Sequence, residues 1–350
     1  MNLQDIKHSL SSLSSNERLE LQTELDLLSV SIPNSPKSQQ SRRDILDNKQ
    51  GCCPHCRHPK YVKFGIDKGS QRYKCKSCKR SFTEYTGTWM AGLQRKDKID
   101  DYLSLMMQEK SLDKIKHALA INKKTAFDWR HKILASLSEN DKDDFTGITE
   151  SDETFFLSSK KGKPVKDREP RKRGGKSKKR GISNDQVAVI VTQDRKSGLD
   201  LCVATMGRLK KIDIEKAIGN LVNPNQTILC SDAHVSYKGF AIDNKIEHHT
   251  LKAVIKQRVK DKIYHIQHVN STHNRVKKWI DNTFWGVSTK YLQQYLNWYR
   301  IKEKIKHRND KLNAFVTKVS EDITAYQKYI EIELRYEELL STLKEQRQRE

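Results

Sequence analysis

The sequence predicts a mixed α/β fold, and three features of the chain support that prediction. Strand-like and helical segments alternate from residue 148 onward, two close cysteine pairs precede them, and a helical region lies between. We expect five segments, namely an N-terminal helix and linker (1–50), a cysteine-rich module (51–90), a helical domain (91–145), an α/β domain with a basic insertion at 160–181 (146–305), and a C-terminal helix (306–350).

The charge balance indicates a polyanionic partner. The 350 residues include 67 Lys and Arg against 44 Asp and Glu, a formal net charge of +23. There is no run of 18 apolar residues and no signal peptide behind Met1, which argues against a membrane partner and favours double-stranded DNA. Four of the seven cysteines form two close pairs, which is typical of a metal site in a reducing compartment such as the cytoplasm.

The first 50 residues are predicted to form a short helix and a linker. Ser14 and Glu17 have the spacing of a capping box, and leucines at helical spacing follow them. The segment 31–50 is polar and contains two prolines, a composition that favours a linker.

Two C-x-x-C pairs predict a structural zinc site. Cys53 with Cys56 and Cys75 with Cys78 are separated by 18 residues, and the segments between them alternate like the arms of a hairpin. Four thiolates on two turns form a closed tetrahedral site, the usual arrangement for structural Zn²⁺, and Cys52 is left over. In one interpretation the metal only folds a module too small for its own core. In the other, the surrounding Lys and Arg side chains also contact phosphates.

Residues 97–136 are predicted to be helical. Apolar residues recur at helical spacing on both sides of a turn at Ile121, which suits the two short helices of a helix-turn-helix. The second helix would enter the major groove of DNA with Lys123, Lys124 and Arg130 facing outward. Any small three-helix domain gives the same pattern, so the DNA-binding interpretation depends on the net charge of the chain.

The segments from residue 148 onward follow a specific order. "ITESDETFFL", "DQVAVIVTQD" and "LDLCVATMG" are predicted strands, "KIDIEKAIGNLV" a helix and "QTILCSD" a fourth strand. "AHVSYKGFAIDN" is then a helix, "EHHTLKA" a fifth strand and "HVNSTHNRVKKWI" the start of a last helix. Because this is the element order of the RNase-H-like fold, we expect by analogy an RNase-H-like domain.

Asp152 on the first strand and Asp232 at the end of the fourth are candidate metal ligands. These strands are neighbours in the expected sheet, which brings the two carboxylates into one cleft. They repel each other unless a cation lies beside them, and oxygen ligands suit Mg²⁺ or Mn²⁺. Two such ions catalyse in-line displacement at phosphorus. The alternative is that each Asp only caps a helix or a turn.

The last helix has no acidic residue where this fold class usually supplies a third ligand. His273 can take that position, since neutral imidazole binds first-row metals. We expect His268 to contact the scissile phosphate and Asn270 to hydrogen-bond a metal ligand. Three basic side chains of this helix would lie along the DNA backbone, namely Arg275, Lys277 and Lys278. The alternative is a basic helix with incidental histidines.

The basic insertion has 12 Lys or Arg among residues 160–180. We expect it to be disordered or a hairpin that lies along DNA, adding affinity that falls steeply with salt. The side chains assigned to DNA there are Arg171, Lys172, Arg173, Lys178, Lys179 and Arg180. A solvated loop is the alternative.

Taken together, these segments resemble bacterial insertion-sequence transposases of the zinc-ribbon DDE class, in the IS1595 (ISXO2-like) group. The resemblance covers about residues 50–300 and rests on "CPHC", "QRYKCKSCKRSF", "DETFF", "RKRGGKSKKRG", "CSDAHVSY" and "HVNSTHNRVKKWIDNTFWGVSTKYLQQYLNWYR". It places Asp152 and Asp232 at the two aspartate positions and His273 at the third. Most of the wider family has Glu or Asn at that third position.

The resemblance implies an enzyme of the bacterial cytoplasm, associated with the nucleoid. It would bind the terminal inverted repeats of its own element, cleave phosphodiester bonds and join the 3′-hydroxyl ends to target DNA, as a homo-oligomer. The family's lysine seven residues past the third ligand is absent because Ile280 stands there, and Lys277 or Lys278 would replace it. A non-catalytic DNA-binding regulator and an RNase-H-like junction nuclease remain as alternatives.

The segment after residue 300 is predicted to be helical. The apolar stripe of this segment consists of Ile323, Tyr326, Ile330 and Leu334 at helical spacing, followed by Leu339, Leu340 and Leu343. We expect the stripe to pack against its own chain, with pairing to a second subunit as the alternative.

Overall fold

The computed structural model describes residues 13–14, 17–18, 20, 37–137, 142, 144–162, 181–251 and 259–347, with side chains up to Ser341. Contacts divide the chain into two compact units, Met1–Tyr85 with Gly92–Asp128 and Thr86–Ala91 with Trp129–Glu350. Most of the predicted N-terminal helix and the six basic residues assigned to DNA between 171 and 180 lie outside the described residues. Within the described ranges, no helix is both long enough and apolar enough to span a membrane.

The first unit contains a helix that the sequence did not predict. In its described part, α1 (Lys37–Asp47) precedes an antiparallel sheet of β1 (Tyr61–Asp67), β2 (Ser70–Cys75) and β3 (Ser81–Thr83), in that order. The linker predicted over 31–50 is therefore wrong in its second half. Polar residues of α1 are buried because they have partners: Ser38 Oγ donates to Asp100 at 2.8 Å and Gln39 Nε2 to Glu84 at 2.7 Å. Hydropathy alone does not reveal such burial.

Upstream of α1, the predicted capping box is confirmed. The Ser14 backbone N–H donates to Glu17 Oε2 at 2.8 Å, and the Glu17 N–H donates to Ser14 Oγ at 3.4 Å. Each side chain thus satisfies a backbone donor at a helix start.

The small sheet packs one face against α1. The aromatic rings of Tyr61, Tyr73 and Phe82 lie with centroids 5.5 to 5.7 Å apart, and Leu46 of α1 joins the same cluster. The Tyr61 hydroxyl donates to the Leu46 carbonyl at 2.7 Å, which satisfies a polar group at the edge of this core.

Three helices follow the sheet, as the sequence predicted for this region. They are α2 (Ile99–Met107), α3 (Leu112–Ala118) and α4 (Lys123–Ser136). Ser111 Oγ caps α3 by accepting from Lys114 N–H, and Asn122 Oδ1 accepts from Thr125 N–H at the start of α4. The residues of α4 from Trp129 onward belong to the second unit.

Arg130 on α4 corrects the sequence analysis. It was expected to face outward toward DNA, yet it is 1% exposed. Its guanidinium lies 5.9 Å from the ring centre of Phe284 and 5.7 Å from that of Trp298. This Arg is therefore part of an aromatic core by cation–π contact, because a planar, weakly hydrated cation can stack on rings.

The second unit contains a five-stranded mixed sheet. Its strands are β4 (Phe145–Leu157), β5 (Gln186–Asp194), β6 (Leu199–Met206), β7 (Val222–Asp232) and β8 (Glu247–Leu251), in the spatial order β6-β5-β4-β7-β8. The pairs β4/β5 and β5/β6 are antiparallel, and the pairs β4/β7 and β7/β8 are parallel. Numbered within the domain, the order is 3-2-1-4-5, so the predicted RNase-H-like fold is confirmed.

Helices cover both faces of this sheet. Two of them, α5 (Lys211–Ile218) and α6 (Val235–Asp243), bury a core with β5 and β7, and Tyr237 of α6 approaches Ser151 of β4 at 3.4 Å. The long helix α7 (Gln267–Phe284) contacts β4 and β5, and α8 (Leu292–Ile305) contacts β6. Since successive side chains alternate, Glu150 and Asp152 lie on the α7 face of β4.

The C-terminal part is not the single helix that was predicted. It forms α9 (Lys311–Glu321), α10 (Ala325–Ile330) and α11 (Ile332–Arg347). Asp322 Oδ1 accepts from the Thr324 backbone N–H at 2.6 Å in the break between α9 and α10. The predicted packing of the stripe on its own domain is confirmed for α11, which contacts β6. It does not hold for Tyr326, Ile330 and Leu334, which are 43%, 54% and 60% exposed.

Candidate active site

The parallel pairing of β4 and β7 brings two predicted ligands together. Thr149 pairs with Leu229 and Glu150 with Cys230, so two residues further along each strand Asp152 lies beside Asp232. A carboxylate oxygen of each lies within 4.8 Å of the other. Asp232 Oδ1 accepts from the His234 backbone N–H at 3.0 Å, whereas the N-cap of α6 is His234 itself. Asp232 is therefore not simply a helix cap.

A third carboxylate, which the sequence analysis missed, completes this cluster. One oxygen of Glu153 lies within 4.8 Å of those of Asp152 and Asp232. Strand alternation sends Glu153 toward the other face of β4, which is why the sequence did not place it there. At Glu153, however, β4 is paired with β5 alone, because its ladder with β7 ends at Glu150. The edge of β4 that faces β7 therefore has no paired strand at this position. The only available signal was the adjacent acidic pair in "SDET".

The electrostatics of this carboxylate cluster favour a cation. Burial, followed by the charges of Glu153 and Asp232, raises the pKa of Asp152 to about 8. Burial and the charge of Asp232 also raise the pKa of Glu153, and Glu153 Oε2 is buried without a hydrogen-bond partner. The raised pKa values mean that Asp152 and Glu153 retain protons to a higher pH unless a cation compensates their charge. The donor set is all oxygen, which fits Mg²⁺ or Mn²⁺.

His273 lies next to this cluster without belonging to it. Its imidazole hydrogen-bonds the backbone of Asp152, and its Nε2 is buried with no hydrogen-bond partner, so Nδ1 makes that bond. Burial and the charge of Lys277 lower the pKa of His273 to about 4, so the ring is neutral at pH 7. A neutral imidazole with one nitrogen held by a carbonyl and the other unpartnered fits a metal ligand. His273 is not within the 4.8 Å carboxylate group, so ligation needs a closer approach.

The basic residues of α7 differ in their surroundings. Lys277 is partly buried, and burial lowers its pKa. Arg275 forms an ion pair with Glu303 at 2.7 Å, and Lys278 is exposed. Of the two lysines that were considered as replacements for the absent one at 280, Lys277 is the one whose charge acts on His273.

His268 does not lie at the carboxylate cluster. Its Nδ1 lies 2.6 Å from Glu150 Oε1, and the ligand atoms of Glu150, His265 and His268 form a separate group within 4.8 Å. Asn270 is exposed. The structure thus groups His268 with a buried glutamate that the sequence analysis did not single out.

The four cysteines predicted to bind zinc lie together in the first unit. Cys53 Sγ lies 3.7 Å from Cys78 Sγ, and Cys56 Sγ lies 3.7 Å from Cys75 Sγ, with all four within 4.8 Å of one another. A tetrahedron with Zn–S bonds of about 2.3 Å has sulfur–sulfur edges of about 3.8 Å, so this cluster has the dimensions of a Zn²⁺ site.

The outer face of the small sheet combines apolar and cationic groups. Val62 and Phe64 of β1 are each 44% exposed. Arg72 and Lys74 of β2 lie 5.3 and 4.9 Å from the ring centre of Phe64. On α4, Lys123 and Lys124 are exposed, and Lys123 forms an ion pair with Asp113.

Comparisons of the sequence with known proteins find a matching family profile and a curated relative. Residues 145–300 match the family profile of the ISXO2-like transposase domain. A protein of Halobacterium salinarum described as "Uncharacterized protein in transposable element ISH50" is 29% identical over 150 residues, which are 42% of this chain and 50% of that protein. The chain therefore spans half the length of this curated relative.

A solved structure is also similar, though distantly. A chain of the "Crystal structure of a pre-cleavage Mos1 transpososome" is 12% identical, with 65% of this chain and 78% of that chain covered and a TM-score of 0.23. The assignment of the fold rests on the strand order of the sheet. The family profile spans β4 to α8 and includes Asp152, Asp232 and His273. The α/β domain of this chain is thus similar to the ISXO2-like transposase domain.

Proposed function

We propose that this protein is a DNA transposase that cleaves phosphodiester bonds at the ends of its own insertion sequence and joins the freed 3′-hydroxyls to target DNA. One observation carries the proposal. Three carboxylates, Asp152, Glu153 and Asp232, have oxygens within 4.8 Å of one another on a sheet of RNase-H-like order. Structural carboxylates at this density normally pair with Lys or Arg. Among the described residues, no Lys or Arg forms an ion pair with these three.

In this proposal, Asp152, Asp232 and Glu153 hold divalent Mg²⁺ or Mn²⁺, and His273 contributes its unpartnered Nε2. When bound, such ions activate the attacking oxygen and stabilise the leaving oxygen of an in-line displacement at phosphorus. Asp152 must lose the proton that its raised pKa retains before it can ligate a cation. Lys277 lies near His273 and adds positive charge where a phosphodiester would lie.

We propose a separate role for the cysteine cluster and the elements beside it in binding the element ends. Cys53, Cys56, Cys75 and Cys78 would hold structural Zn²⁺, which fixes the β1–β2 hairpin. Arg72 and Lys74 on the outer face of that hairpin would contact phosphates, while exposed Phe64 offers an apolar contact to the groove. Binding through such contacts weakens steeply as salt rises.

Further basic side chains are proposed to lie along the DNA backbone. Within the described ranges, these side chains are Lys123, Lys124, Lys277 and Lys278. Arg275 joins them if its ion pair with Glu303 opens. Arg171, Lys172, Arg173, Lys178, Lys179 and Arg180 are proposed on the charge of the sequence alone. A homo-oligomer is proposed as the assembly, because joining an element requires both of its ends together.

The test is a cleavage and joining assay on the element's own ends with Mg²⁺ or Mn²⁺. Asp152→Ala should abolish both reactions and leave end binding within about twofold of the unchanged protein. Asp243→Asn is the matched control, since Asp243 is an exposed acid on α6 paired with Lys211. If the unsubstituted protein binds the element ends but does not cleave them, it is a regulator. Cleavage of branched DNA without joined products would identify a junction nuclease.

A further inference from the structure

Glu150 is a buried carboxylate on the same face of β4 as Asp152, two residues before it. The residue is 0% exposed. Its Oε1 accepts from Arg195 Nε at 3.1 Å and lies 2.6 Å from His268 Nδ1. Its Oε2 accepts from the backbone N–H groups of His268 at 2.9 Å and Val269 at 3.3 Å. Buried charge is costly unless it is compensated in this way.

These contacts make Glu150 the cap of α7, supplied from another element. The N-cap residue Ile266 offers no side-chain hydrogen bond, so the first N–H groups of α7 need outside partners. His265 Nδ1 accepts from the Gln267 N–H at 3.3 Å, and Glu150 accepts from the next two N–H groups, those of His268 and Val269. A carboxylate at a helix N-terminus also gains from the helix dipole.

The spacing along α7 matches the spacing along β4. From Val269 to His273 the helix advances by about 6 Å, at about 1.5 Å per residue. From Glu150 to Asp152 the strand advances by about 6.6 Å, at about 3.3 Å per residue. His273 accordingly meets the backbone of Asp152 one helical turn after Val269 meets Glu150.

We propose that Glu150 is the positioning residue of the candidate active site: it docks the N-terminus of α7 on β4 and thereby holds His273 at Asp152. The inference rests on the proposed function, since it gives His273 a ligand's role. Arg195 supports the carboxylate from the β5–β6 turn and also donates to the Ile263 carbonyl at 2.8 Å. In this inference, His265 and His268 serve the docking of α7.

The test measures Mn²⁺ affinity by calorimetry on the full-length, zinc-loaded chain without DNA. Glu150→Gln should weaken Mn²⁺ binding about 10- to 100-fold, the loss typical when a residue that orients a metal ligand is changed, and leave end-DNA binding unchanged. Glu247→Gln is the matched control, because Glu247 also contacts a histidine, His249, at 2.8 Å but is exposed. Its Mn²⁺ affinity should equal that of the unchanged chain.

A double substitution separates positioning from general stabilisation. If Glu150 acts through His273, then Glu150→Gln adds little further loss of Mn²⁺ affinity in a His273→Ala background. Additive losses would overturn the inference, as would an unchanged Mn²⁺ affinity in a destabilised Glu150→Gln chain. If Glu150→Gln does not fold, Arg195→Gln tests the same contact, with a smaller loss expected.

The same measurements keep this inference distinct from the proposed function. If His273→Ala leaves Mn²⁺ affinity unchanged, His273 is not a ligand and the inference fails; the carboxylate site of the proposed function fails only if Asp152→Ala also leaves Mn²⁺ affinity unchanged. If His273→Ala weakens binding but Glu150→Gln does not, only the positioning role fails. A bound Mn²⁺ count that falls by one in Glu150→Gln would make Glu150 a ligand of a second ion, which also overturns the inference.

Discussion

Replacing Asp152 by Asn should stabilise the protein while it destroys the proposed metal site. At 4.8 Å, two full negative charges repel by about 3.5 kcal/mol with an effective dielectric constant of about 20. Protonation relieves part of this repulsion, so we expect Asp152→Asn to add about 1–3 kcal/mol to the free energy of unfolding at pH 7.5 without Mg²⁺ or Mn²⁺. At about 2–4 °C per kcal/mol, the Tm should rise measurably.

The pH dependence of this effect has a defined sign. The pKa of Asp152 is raised in the folded chain to about 8, from an ordinary value of 3.8. Such a carboxyl loses folded-state stability as the pH rises from about 4 to about 8, because the unfolded chain ionises it freely over that range. The stabilisation by Asp152→Asn should therefore be present at pH 7.5 and absent near pH 4.

Calorimetric unfolding scans test this, in buffer depleted of Mg²⁺ and Mn²⁺ by a resin, since a soluble chelator would strip zinc from the cysteines. Saturating Mn²⁺ should raise the Tm of the unchanged chain and of Asp243→Asn, but not of Asp152→Asn. The reasoning is refuted if Asp152→Asn lowers the Tm at pH 7.5 without Mn²⁺. An equal gain in Tm from Mn²⁺ in all three chains would also refute it.

Three further changes have defined outcomes. Cys53→Ser should remove about one zinc per chain by elemental analysis and weaken end binding, because the tetrahedral set loses a thiolate; retained zinc would contradict this. Arg300→Met leaves the buried Asp200 with Lys142 as its one ion-pair partner among the described residues, so the free energy of unfolding in urea should fall by about 3 kcal/mol. An Asp200→Leu/Arg300→Met chain should lose less. Burial, followed by the charge of Asp100, raises the pKa of Asp101 to about 6. Asp101→Asn should therefore stabilise the chain at pH 7.5, on the order of 1 kcal/mol, and should have no such effect at pH 4. Thermal unfolding scans at the two pH values would test this.

The order of elements and the two aspartates were predictable from the sequence for a physical reason. Periodicity of 2 and 3.6 residues identifies strands and helices, and their order along the chain limits which strands can be neighbours. Asp152 and Asp232 therefore met as expected although 80 positions separate them. The four cysteines were predictable because their spacing alone defines the site.

The residues that were missed depend on tertiary contacts which the periodicity does not encode. Glu153 joins the cluster because β4 continues beyond its ladder with β7. Arg130 has the polarity of a surface residue, but the aromatic rings around it come from residues more than 150 positions away. Glu150 looks like an ordinary strand residue until the start of α7 is placed over it.

The helix α1 determines where a stable fragment of this protein can begin. Leu46 of α1 covers the aromatic side of the cysteine-bearing sheet, and Asp47 accepts hydrogen bonds from Lys63 and the Tyr73 hydroxyl at 2.7 and 2.9 Å. A fragment started at the first cysteine would leave Tyr61 and Tyr73 facing water and tend to aggregate, even when fully metallated. An isolated fragment that binds the element ends should therefore start upstream of Lys37. A fragment that starts at the first cysteine would begin about 15 residues too late.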